Sequence, residues 1–134
     1  MLGCIQKLLS KILYIFIKDN SKKEYKEYKG KALALAISRI QYFNQKSEFK
    51  FNKINIKNQK TCWGSCSRRG NLNFNYKIAL LPERLADYIV VHELCHLKEF
   101  NHSRKFWNLV AEIIPDYLER KKDLKKAYRT SLIR

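Results

Sequence analysis

All three histidines of this 134-residue chain fall inside eleven residues, HELCHLKEFNH, from His92 to His102. No other feature restricts the fold as much. On an α-helix His92 and His96 sit about 40° apart around the axis and one turn apart along it. Two imidazole nitrogens can then meet one metal ion. Glu93, one step round, reaches a water at that ion without binding it. His102 can be the third ligand only if the chain turns back, because a straight helix would carry it about 15 Å from His92 and onto another face. The helix therefore has to end between Leu97 and Asn101. Asn101 suits a helix end, and Asn101 or Ser103 suits the start of the next helix. Three protein ligands leave a fourth position for water, which marks a catalytic rather than a structural zinc site. A structural site would draw on cysteines and leave Glu93 without a role.

A chain of this length supports one domain with a real core. Its hydrophobic content of 46%, with two prolines and four glycines, argues for a folded chain without long linkers. The net charge of +16 suits attraction to nucleic acid or to an anionic membrane surface. The lysines, however, are spread along the whole chain, and Lys, Ile, Asn and Tyr are abundant together, as an AT-rich coding sequence would supply. Both explanations stand at this level. Of the four cysteines, Cys62 and Cys66 lie on an expected strand about 13 Å apart, too far for a disulfide, and Cys95 lies inside the metal helix. All four read as reduced thiols of a cytoplasmic protein. A metal pair at Cys62 and Cys66 is the rival reading.

Residues 2–18 have a helical period. Leu2, Ile5, Leu9, Ile12, Leu13 and Phe16 share one arc, and Lys7, Lys11 and Lys18 cluster opposite. The segment is too short and too interrupted by lysine to span a membrane, and it lacks a signal-peptide cleavage site. Either it packs on the domain, the favoured reading, or it lies in a membrane interface. Asp19–Ser21 are expected to break the pattern before a second helix over about 22–45, with Leu33, Ala36, Ile37, Ile40 and Phe43 as core. Tyr25 and Tyr28 read as packing residues. FKFNKINIK alternates and slips near Asn52–Lys53, as a bulge or bend would produce. A hairpin follows, with TCWGSCS as one strand, Arg68-Arg69-Gly70 as the turn and NLNFNYKIAL as the other strand. Leu72, Phe74, Tyr76 and Ile78 would face the core, and Asn71, Asn73 and Asn75 solvent or substrate. Pro82 opens the metal helix, which Leu85, Ile89, Val90 and Leu97 help to bury. Ser103–Ile114 is expected to be an amphipathic helix with Phe106, Trp107, Val110 and Ile114 inward, and a basic tail follows.

The stretch TCWGSCSRRGNLNFNYKIALLPERLADYIVVHELCHLKEFNHSRKFW resembles the core of the YgjP-like metallopeptidases, a family similar to the SprT-like and other small zincin-type zinc peptidases. Three blocks carry the match: WGSCS, GNLNFN, and VVHELCH with NHSRKFW. The match as a whole covers about residues 30–125. The resemblance implies His92, His96 and His102 as zinc ligands and Glu93 as the catalytic acid/base. It also implies an α+β fold: a minimal zincin-like domain of N-terminal helices, a small antiparallel sheet, the HExxH helix and C-terminal helices. Residues 1–21 would form an amphipathic N-terminal helix and 22–134 the peptidase domain. The chain departs from the family pattern in its short N-terminal part and in Cys62, where a basic residue is common. A metzincin is excluded, because Glu99 stands where glycine is required and the sole methionine is Met1. Glu112 or Glu119 as third ligand is the thermolysin-like rival to His102.

The expected function is peptide-bond hydrolysis by a water activated at Zn2+, with Glu93 moving the proton. A further donor would stabilise the transition state, with Arg68, Arg69, Tyr76 and Tyr117 as candidates. Trp63, Gly64 and Ser65 would border the cleft and bind substrate, an extended polypeptide pairing with that strand. Trp63 as a core anchor and Gly64 as a bend is the competing view. Asp87, Glu99 and Asn101 could orient the ligand histidines. The alternative function is a nucleic-acid-associated protein with the same fold, either a protease acting near DNA or a binding module without turnover. Peripheral membrane contact through residues 2–18 is a further possible partnership.

Overall fold

The computed structural model describes the backbone of residues 2–133 and the side-chain surroundings of residues 3–13 and 20–127. Helix α1 spans Leu2–Ser47, strand β1 Lys53–Lys57, β2 Gly64–Cys66 and β3 Asn71–Asn75. A 3-10 turn covers Tyr76–Leu80, and α2 (Glu83–His96), α3 (Arg104–Ile113) and α4 (Tyr117–Ile133) complete the chain. The class is α+β, as the sequence indicates.

Helix α1 runs through Asp19–Ser21 without a break. Those residues are only weakly unfavourable in a helix, and no proline interrupts the 46 residues. The buried stripe of α1 also differs from expectation. Ala32, Ala36 and Ile40 are buried, with Tyr25, Tyr28, Leu35 and Phe43 packed beside them, whereas Leu33 and Ile37 are exposed. Alanines on the seam let the helix lie close to its neighbours, so side-chain size misleads about the contact face. Tyr25 packs as expected: its hydroxyl donates to the carbonyl of Ile56, and its ring meets Tyr76 edge-on. The helix stops where Glu48 adopts a positive φ of 48° and the Asn44 amide bridges both backbone groups of Phe49.

The sheet order is β1-β3-β2. Strands β2 and β3 form the expected hairpin, closed by a turn in which Gly70 takes φ 83° and donates its N–H to the Ser67 carbonyl. Strand β1, however, pairs parallel to β3, so the sheet is mixed rather than antiparallel. The chain leaves β1, crosses to the far edge as β2 and returns through the middle. Two further details differ. The second hairpin strand stops at Asn75, whose side chain accepts from the N–H of Lys77 and starts the 3-10 turn that carries Tyr76 and Ile78 into the core. Asn73 and Asn75 are buried and bonded, not presented to solvent or substrate. Asn73 links Asn55 to Ser65, and Asn75 donates to the carbonyls of Gln59 and Cys62.

Helix α2 is the centre of the molecule. It touches α1, α3, α4, β2 and the 3-10 turn. Leu85, Ala86, Ile89, Val90, Val91, Leu94 and Cys95 are all buried, on every side of the helix rather than on one stripe. Each large aliphatic among them contributes roughly 1.5–3 kcal/mol by leaving water. Arg39 of α1 holds Asp87 of α2 through a two-pronged contact, Nε to Oδ1 at 2.6 Å and Nη2 to Oδ2 at 2.9 Å. Asp87 is therefore a clamp between helices rather than a support for the histidines. Its hydrogen bond, above all, and its charge hold the Arg39 guanidinium above its ordinary pKa.

Candidate metal centre and cleft

Helix α2 ends at His96, and Leu97 to Phe100 turn the chain back before α3 begins at Arg104. This is the reversal that His102 needs. Ser103 stands at the N-cap position, although its side chain makes no capping bond. The ligand atoms of His92, His96 and His102 all lie within 4.8 Å of one another. The Nε2 atoms of His96 and His102 are 3.1 Å apart. Two nitrogens bound to one tetrahedral zinc ion at ordinary bond lengths are separated by about 3.3 Å. The His96–His102 pair matches this spacing, and all three imidazoles lie close enough together to share one metal ion. Nδ1 of His96 donates to the carbonyl of Glu99 at 3.1 Å, which leaves Nε2 as the free ligand atom. The backbone of Glu99 thus does what its side chain was expected to do, while Asn101 is exposed in the bend. His102 is held below the ordinary histidine pKa, first by burial and then by the neighbouring His96 and His92, which favours the neutral ring. Glu112 and Glu119 are exposed, and Glu119 lies 4.0 Å from Arg84. Neither joins the cluster.

Aromatic rings fix the geometry. Phe106, fully buried, stacks on His96 with centroids 4.4 Å apart and meets the edges of His92 and His102 at 5.0 Å each. Trp107 stacks on His102 at 5.8 Å and on Tyr117 at 5.4 Å, and Lys121 Nζ sits 4.5 Å above the Trp107 ring. The sequence marks Phe106 and Trp107 only as core residues of an amphipathic helix. Their role under the histidines emerges from the packing of α3 on α2.

Glu93 is 4% exposed, with Oε2 3.3 Å from Nδ1 of His92. It faces a cleft of about 370 Å³ lined by Trp63, Gly64, Tyr88, Ile89 and His92, with Lys121, Leu124 and Lys125 of α4 on the far wall. A Cβ on Gly64 would come within 3.1 Å of Glu93 Cγ and Oε2 and 3.0 Å of the Asn73 carbonyl. The missing side chain makes room for Glu93. Ser65 does not line the cleft, and its Oγ accepts from Asn73 instead. Strand β2 lies at the edge of the sheet. The N–H of Asn75 donates to Trp63 and that of Ser67 to Asn71. Alternation then leaves the N–H and C=O of Gly64 and Cys66 facing the outer edge.

The expected transition-state donors are placed variously. Tyr76 is sealed in the core. The Arg68 guanidinium lies 5.4 Å above Phe100, Arg69 is exposed, and Tyr117 is stacked on Trp107. Tyr88 lines the cleft instead. Burial first, then the Glu93 carboxylate, push its hydroxyl up to about 12, so it stays a donor. Its position one helical turn before His92 was the available signal.

Among solved structures, the chain is similar to the metallopeptidase zymogen abylysin of Pyrococcus abyssi, at 25% identity and a TM-score of 0.60, over 74% of this chain and 96% of that one. It is also similar in fold to the metallopeptidase zymogen jannalysin of Methanocaldococcus jannaschii, at 24% identity and a TM-score of 0.55, over 72% and 95%. No curated protein matches it. Neither likeness bears on a nucleic-acid or membrane partner. The model of the YgjP-like metallopeptidase domain matches residues 17–127, a span that takes in the whole cleft and all three histidines. The chain therefore belongs to the YgjP-like metallopeptidases.

Proposed function

We propose that the protein is a zinc-dependent peptidase in which His92, His96 and His102 hold Zn2+ and Glu93 is the catalytic acid/base. The single observation that carries this reading is the convergence of three imidazoles, with two Nε2 atoms 3.1 Å apart, beside a buried carboxylate that opens on a cleft. Zinc, when bound, supplies Lewis acidity toward a peptide carbonyl and an adjacent water. Glu93 takes the proton of the attacking water on a carboxylate oxygen and delivers it to the leaving amine nitrogen. The Tyr88 hydroxyl donates to the carbonyl oxygen as negative charge builds there. An extended substrate pairs with the outer edge of β2 through the backbone of Gly64 and Cys66, its side chains meeting Trp63 and Ile89. Ser65 acts in that site only by holding the strand to Asn73. Residues 22–134 form the catalytic unit and residues 1–21 an appendage.

Zinc analysis and casein cleavage on the wild type, Glu93→Gln and His102→Ala proteins test the reading. One equivalent of zinc in the first two, its loss in the third and cleavage by the wild type alone are expected. Wild-type turnover by Glu93→Gln, or a wild-type protein that retains no metal, would overturn it.

A further inference from the structure

The N-terminal part of α1 leaves the body of the molecule. Among the described side chains, the first on α1 to bond to the body is that of Ser21, whose Oγ meets Asn58 Oδ1 at 3.1 Å. From there to Leu2 the helix extends by about 29 Å. Residues 3–13 are all exposed and do not pack on the domain, while Leu2, Phe16 and Lys18 of the expected helix lie outside the described side chains. Ile5, Leu8, Leu9, Ile12 and Leu13 are each between 54% and 59% exposed. Their positions fall within an arc of about 140°. Lys7 and Lys11 lie about 40° from one another on the opposite side. No Asp or Glu occurs before Asp19.

We infer that this segment docks on an anionic lipid bilayer surface, lying in the interface with its aliphatic arc toward the acyl chains and its lysines among the headgroups. Three observations select this occupant. No described helix is long and apolar enough to cross a membrane, and Lys7 and Lys11 interrupt the apolar run of this segment. The aliphatic arc is wider than the narrow seam of a two-stranded coiled coil. A second copy would also bring together two chains of charge +16, which an anionic surface attracts instead. The inference does not depend on the peptidase reading, because none of these residues touches the cleft.

The test is cosedimentation of the full chain with vesicles of phosphatidylcholine alone or mixed with phosphatidylglycerol, at low and high salt. Binding is expected only to the mixed vesicles and should weaken with salt. Lys7→Ala with Lys11→Ala should lower it about thirtyfold. Ile5→Glu with Leu9→Glu and Ile12→Glu should abolish it, while casein cleavage in solution stays at the wild-type rate. Protein that remains in the supernatant with the mixed vesicles would overturn the inference. So would undiminished binding by the triple variant, which would place the contact on the basic body. A dimer in sedimentation velocity that the triple variant dissociates, without vesicle binding, would assign the arc to a second copy.

Discussion

Gly64 and Glu93 share a space that has no room for another methyl group. In Gly64→Ala the new Cβ would press on the Asn73 carbonyl, which the sheet holds, and on the Glu93 side chain, which would have to shift from its place beside His92. Zinc content should stay unchanged while kcat for casein falls roughly tenfold, since small displacements of a proton-transfer group are costly. Equal turnover by this variant would separate Gly64 from the chemistry. Tyr88→Phe removes the proposed donor without changing shape, and kcat should fall about a hundredfold with KM little altered. The cysteines offer a check on burial. Burial first, then the Glu93 carboxylate, raise the Cys66 thiol to about 11, and burial raises Cys95 to about 12. A raised thiol pKa means less thiolate at a given pH. Iodoacetamide at mildly alkaline pH should therefore label the exposed Cys4 and leave Cys66 about a hundredfold slower than an ordinary thiol. Mass spectrometry of the labelled peptides reads this directly.

The helices carry the site through two junctions. At one, Arg39 of α1 clamps Asp87 of α2, with side-chain exposures of 19% and 11%. Asp87→Asn would leave the largely buried Arg39 guanidinium with only the exposed Glu83 carboxylate, 3.3 Å away, as its anion. The cost should be about 2–3 kcal/mol, below that of a fully buried pair because water reaches Arg39, and urea denaturation would measure it. At the other junction, Phe106 of α3 stacks beneath the rings at the end of α2. The helix content of α3 could be read from its period. Its register against α2 could not, because amphipathicity shows which face is apolar and not which neighbour that face meets. The same limit explains α1, where the apolar period was clear but the seam runs through alanines and leaves Leu33 and Ile37 outside.

For the whole molecule, the metal links folding to function. The three histidines come from the end of α2 and from the connection to α3, so an ion bound between them ties the two segments together. Free zinc at a hundred times its Kd would stabilise the fold by about 2.7 kcal/mol. Chelation should then lower Tm by roughly 10 °C, and zinc should restore it. An identical melting curve with and without chelator would show that the ion is not held by the folded state.

The spacing of His92, His96 and His102 determined that three imidazoles converge, because helical geometry brings the first two together and a short return brings the third. The Gly70 turn determined the hairpin, because only glycine takes that φ readily. Tertiary structure alone decided that β1 runs parallel to β3, that Asn73 and Asn75 of β3 are buried, and that Tyr88 and α4 wall the cleft. Local patterns record how a segment satisfies its own backbone and which face is apolar. Strand direction across a crossover, the burial of a bonded amide and the partner of a helix face are set by distant segments that compete for the same surface.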